Sequence, residues 1–356
     1  MSELPNPLVP PFPPANLKAG WEAIQQGKAA KTQTPREAEY LAAIEVFYKD
    51  YDKIAPNAFH ALHMPSHIYS ILGMWQDSIR SNLASKASAE DYEAKNFPDT
   101  THPGVPHMSD FLVYAYLQTA KDGDAKQLVD SLPKLKKFRF ASLGIDTALA
   151  AIPARYALER GHWDEAAQLS VRDSQFPAAQ SISYFARALG SARSGNAAAA
   201  RAEIAHLDEI EAKLAAAKDD YGARQTRIQK QVAMAWVMFA EGQRDEAIAA
   251  MRKAADLDDA SEKNVAMENK LVPIRALLGE LYLAAGMNKE ALVEFEASDK
   301  VMPNRFQTLA GAARAARESG SVDATKRYYR ALTALAAGGD GDRPEVSEAR
   351  SYLAHN

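Results

Sequence analysis

A glycine recurs at a fixed distance between paired amphipathic segments, and that period restricts the fold more than any other feature of this chain. Gly161 and Gly195 stand 34 residues apart, as do Gly286 and Gly320. Gly73 and Gly242 occupy the same place between helical segments, and a weaker member of the series turns near Gly123. Glu-Ala follows several of them, in Asp164-Glu165-Ala166, Asp245-Glu246-Ala247 and Lys289-Glu290-Ala291. Glycine ends a helix because it enters the left-handed backbone region without a Cβ clash. A repeat of this kind describes stacked two-helix units, none of which buries its apolar face alone.

The clearest unit is Pro273 to Pro303, with Leu278-Gly279 in its first helix, Gly286 in the turn, and Ala291 and Phe295 in the second. Gly279 and Ala291 let the two helices approach closely, and Phe295 fills the gap to the next unit. The longer step of 47 residues from Gly195 to Gly242 predicts extended helices around Ile204–Leu214 and Ile228–Ala240. No stretch alternates apolar and polar residues with β-branched enrichment, so no strand is expected. The predicted fold is all-α: an α-solenoid of the tetratricopeptide type, with about six or seven helix pairs in a right-handed superhelix.

Six prolines fall in the first fourteen residues, which favours an extended arm over residues 1–15 rather than a helix. Asn16 and the Thr34-Pro35-Arg36-Glu37 capping pattern start two helices, giving an expected N-terminal cap over 16–52. The repeat solenoid then occupies 53–356.

Composition excludes several function classes. Lys plus Arg number 42 against 46 Asp plus Glu, a formal net charge of −4, which argues against a nucleic-acid or anionic-membrane partner. Cysteine is absent, so disulfides, thiolate metal sites and thiol nucleophiles are excluded together. No apolar run approaches the roughly 18 residues of a membrane span, and the first residues show no secretory leader. The expectation is a soluble protein, cytoplasmic as written, or periplasmic or secreted if Met1 stands where a leader was removed.

The chemistry concentrates in histidine. Five of the eight histidines, His60, His63, His67, His102 and His107, lie between positions 60 and 107. At about 100° per residue, His60, His63 and His67 share one helical face. With Gly73 at the inter-helix turn, they take first-helix positions that face a solenoid's concave groove. Three imidazoles there suit a divalent transition metal such as zinc, with His107 or alternatively His102 as the fourth ligand. The competing reading is structural: Pro65 interrupts the segment, and the histidines then bond to backbone released by the kink or to the N-terminal arm. The same register turns Arg155, Trp236, Glu280, Arg314 and Arg317 towards the groove, a mixed lining suited to a protein or peptide segment. Phosphate loops, nucleophile elbows and His-Glu-x-x-His are absent, so the reading leans away from an enzyme.

The segment Ala58–Trp75, AFHALHMPSHIYSILGMW, resembles a bacterial family of tetratricopeptide-repeat proteins marked by His-Ala-Leu-His-Met-Pro-Ser-His. FLVYAYLQ at Phe111–Gln118, AAIPARYALERGHWDEAA at Ala150–Ala167, LAGAARAARESG at Leu309–Gly320 and RPEVSEARSYLA at Arg343–Ala354 are similar to that family too. Longer members carry an additional histidine-rich block before the region that matches Lys53–Pro56, and this chain lacks it. The resemblance implies an α-solenoid and no particular reaction. The expected function is a scaffold presenting a concave groove to a peptide or protein partner. The alternative is a metal-binding protein or metal-dependent enzyme that uses the histidine cluster.

Overall fold

Gly73, Gly161, Gly195, Gly242, Gly286 and Gly320 all have positive φ, between 65° and 84°. The five from Gly161 onward close their helices with the same pair of bonds. At Gly161 the glycine N–H donates to Leu158 O at 3.0 Å, and the next N–H, of His162, reaches back to Ala157 O at 3.0 Å. The computed structural model describes residues 58–261, 271–340 and 343–355. The arm expected over 1–15 and the capping helices over 16–52 lie outside the described residues.

The helices run in order α1 (Phe59–His63), α2 (Pro65–Ile71), α3 (Trp75–Asn96), α4 (Val105–Gln118), α5 (Asp122–Ser131), α6 (Leu143–Leu158), α7 (Trp163–Ala167) and α8 (Pro177–Arg193). They continue with α9 (Ala197–Ala216), α10 (Asp220–Ala240), α11 (Arg244–Ala260), α12 (Ile274–Ala284), α13 (Asn288–Val301), α14 (Phe306–Glu318), α15 (Val322–Leu335) and α16 (Pro344–His355). Among the described residues there is no strand, only an isolated bridge between Thr100 and Lys137. The chain is all-α, as the missing alternation predicts.

Local signals account for many boundaries. Asn196 and Asp219 cap α9 and α10 through their side chains, accepting from Ala199 N–H at 3.0 Å and Gly222 N–H at 2.8 Å. The long spacing between Gly195 and Gly242 is taken up by α9 and α10, as expected. The turn expected near Gly123 is displaced: Gly123 lies inside α5, and Ala120 takes the left-handed conformation with φ 55°. Lys218 and Asn304 do the same where no glycine is available.

Successive helices pack on one another from α8 to α11 and from α12 to α16, and α6 packs on α4 and α8. Phe295 is fully buried, and a Cβ at Gly279 would sit 3.0 Å from its ring. A Cβ at Gly311, in the following unit, would collide with the same ring. The spacing had suggested this packing.

The chain also folds back on itself. Trp75 meets Asn304, the Phe306 N–H donates to Gln118 Oε1 at 2.8 Å, and Arg343 pairs with Asp122 at 2.8 and 2.7 Å. Arg305 and Glu159 form a buried ion pair in the same region. The elements after α13 thereby dock on α3, α4 and α6.

Candidate functional site

Pro65 lacks the N–H that would continue α1, so the segment divides into α1 and α2 with Met64 between them. Met64 keeps helical dihedrals, φ −52° and ψ −39°, and His63 and His67 therefore still face each other across the break. Their Nε2 atoms are 2.9 Å apart. His107, in the first turn of α4, closes the group: its ring centre is 4.7 Å from that of His63 and 5.6 Å from that of His67. One ring nitrogen from each of the three lies within 4.8 Å of the other two. Phe111, one turn further along α4, packs edge-on against all three rings, at 4.9, 4.7 and 5.1 Å.

α3 supplies the support. Asn82 Nδ2 donates to Ser78 O at 2.8 Å, which turns its Oδ1 towards His63. His63 Nδ1–H donates to that oxygen at 2.7 Å. Nδ1 therefore carries the proton and Nε2 presents its lone pair, with His67 Nε2–H as donor across the 2.9 Å contact. Burial holds the His63 imidazole well below its usual value; the charges of His67 and His107 add to the effect and the Asn82 bond opposes it. Burial also lowers His107, against the raising influence of Asp110. Neutral imidazole is the protonation state in which histidine ligates metal.

The other two histidines diverge from the expected ligand set. His60 is exposed, outside the group whose nitrogens converge. His107, expected as the fourth ligand, joins His63 and His67 through the approach of α4. His102 is buried with its ring edge against Phe59, and its Nδ1 accepts the Gly104 N–H at 3.0 Å, so it braces the start of α4. His63 bonds to His67 through Nε2 and to Asn82 through Nδ1. Asn82 was not singled out in the sequence. Its signal is a run of small polar residues, Ser78, Ser81, Asn82 and Ser85, at helical spacing on one buried face.

The groove candidates divide as well. Arg155 does not line an open surface: it is fully buried and forms a bidentate pair with Asp110 at 3.0 and 3.2 Å. Trp236 is only 4% exposed. Neither lines an open groove: Asp110 of α4 pairs with Arg155, and the Arg193 guanidinium lies over the Trp236 ring. Glu280 and Arg314 instead meet in one cavity of about 370 Å³. Arg193 lines it too, sandwiched 4.0 Å from the Trp163 ring centre and 3.9 Å from that of Trp236, and bonded to Glu280 at 2.5 Å. Glu345 and Glu348 line the far side, and Glu345 Oε2 is buried without a hydrogen-bond partner among the described residues. Arg317 is not among the lining residues and pairs with Glu348. Arg193, Glu345 and Glu348 were missed because they come together only through contacts between distant helices.

No protein-family model matches this chain, and no curated protein matches it either.

Proposed function

We propose that the chain is a tetratricopeptide-like helical-repeat protein, of the bacterial family that its histidine motif resembles, and that it binds a segment of a peptide or protein partner. The 34-residue glycine period and the packing of successive helices support the repeat reading. The cavity between α8, α12, α14 and α16 is the binding site. Its volume falls in the range of ligand sites, about 300–1,000 Å³, which admits a side chain or a short extended segment rather than a whole helix.

The observation that carries this reading is the buried, unpartnered Oε2 of Glu345. An unbonded carboxylate oxygen at a buried position is costly, and a donor from the occupant removes that cost. Glu348 stands beside it, and Leu283, Ala284 and Leu332 give an apolar floor. The occupant therefore carries a lysine or arginine side chain whose stem packs on that floor and whose head reaches Glu345.

Peptides selected by display against the full chain provide the test. Calorimetry on the selected peptides should show binding at least tenfold weaker to Glu345→Gln, which retains shape and loses charge. Peptides that bind wild type and variant equally would exclude the cavity as the site, as would a selection with no preference for basic residues.

A further inference from the structure

Three imidazoles converge without a carboxylate among them, and this arrangement has a specific chemical consequence independent of the cavity. The geometry points to a transition-metal site, selective for zinc-like ions, with His63, His67 and His107 as ligands and Asn82 as the residue that positions His63.

The distances decide the feasibility. A tetrahedral zinc with Zn–N bonds of about 2.0–2.1 Å requires its nitrogens to stand about 3.3 Å apart. The His63 and His67 Nε2 atoms are at 2.9 Å, and no pair in the group exceeds 4.8 Å. The required spacing lies between these values, so small rotations of the rings reach it. On binding, the His67 proton shifts from Nε2 to Nδ1, so that both Nε2 lone pairs turn to the ion and the direct contact between His63 and His67 is given up.

The tautomer is already set at His63. Asn82 is anchored by Ser78 O and holds the Nδ1 proton, leaving Nε2 as the ligand atom. A hydrogen bond to the non-ligating nitrogen is the usual support for a metal-bound histidine, and its removal typically weakens binding by about 10–100-fold. Ser66 Oγ, 3.4 Å from Asn82 Oδ1, adds to the same support.

The donor set determines the class of ion. Three neutral nitrogens suit zinc, copper, nickel or cobalt, and they disfavour magnesium and calcium, which take oxygen ligands. Phe111 against all three rings supplies an apolar wall that limits ring motion. Three protein ligands leave one tetrahedral position for water or an outside ligand, the pattern of sites that do more than brace a fold. His60, exposed and outside the convergence, is not a ligand.

The experiment uses the full chain without a histidine tag, stripped with a chelator and titrated with zinc chloride by calorimetry. Wild type should take up one zinc per chain, and magnesium should not compete. His107→Ala should weaken binding at least 100-fold, Asn82→Ala about 10–100-fold, and His60→Ala should bind as wild type does. His107 is chosen as the ligand variant because it is the least buried of the three. X-ray absorption at the zinc edge of loaded wild type should report three imidazole ligands, and this holds even if a variant fails to fold. No zinc uptake by wild type, unchanged uptake in His107→Ala, or a zinc shell without imidazoles would each overturn the site.

Discussion

The Trp75 indole N–H donates to the main-chain carbonyl of Asn304 at 2.6 Å, joining residues 229 positions apart. Asn304 is itself in the left-handed conformation, with φ 58°, which presents that carbonyl to α3. Gly73, two residues before Trp75, lies against the Pro303 carbonyl, so the turn before α3 and the turn before α14 form one contact. The first-described helices thereby become a docking surface for the last units.

Gly73→Ala tests that contact. Gly73 has φ 67°, and a Cβ there would collide with Pro303 O and lie 2.8 Å from Asn304 Cβ. Backbone strain and steric overlap act together, and the variant should lose about 1–3 kcal/mol in denaturant unfolding. Gly195→Ala, with a similar φ of 80° but nothing near its Cβ, should lose less. Equal losses would show that the contact with Pro303 contributes nothing.

The Arg305–Glu159 pair should be expensive to break from one side. Both side chains are 1% exposed, and Arg305 also lies over the Tyr114 ring at 4.9 Å. Removing one partner strands a buried charge, so Glu159→Gln or Arg305→Met should each destabilise by about 3–5 kcal/mol. The double variant should lose less than the sum of the two. Chemical denaturation of the four proteins measures the coupling, and additive losses would mean that the two charges do not depend on each other.

Acidification should weaken the start of α4 through His102. Its Nδ1 accepts the Gly104 N–H, a role that ends on protonation. Burial lowers the imidazole from its ordinary 6.5, Glu93 opposes this, and Arg139 adds to it. The unfolded chain therefore binds the proton first. The stability contribution is complete above about pH 6.5 and is lost as pH falls through that value towards the folded pKa. His102→Asn keeps an acceptor that does not titrate. With chelator present, its unfolding midpoint should decline less between about pH 8 and pH 5 than that of wild type; parallel curves would count against the assignment.

The helices and their turns were legible from residues alone because they depend on local physics. Gly161, Gly195, Gly242, Gly286 and Gly320 end helices through their own backbone freedom, and Gly279 with Phe295 announces a close helix pair within 17 positions. The interest of the histidine segment was legible too, since composition concentrates five of eight histidines there. The membership of the cluster was legible in part: His63, His67 and His107 belong to the expected set and converge, whereas His60, which ideal periodicity groups with them, stays outside. Asn82, from α3, joins through a hydrogen bond that no spacing encodes. The groove shows the same division. Repeat register placed Arg155 and Trp236 on a groove, whereas both are buried, because register holds no information on what packs over a position. That is decided by packing between elements apart in the chain: Asp110 of α4 holds Arg155 in a buried pair and the Arg193 guanidinium lies over the Trp236 ring, while Arg193, Glu280 and Glu345 together line a cavity. Local backbone preference sets the helices; the closure of one set of helices on another sets which side chains face a ligand, because that choice depends on surfaces that exist only once the chain has folded.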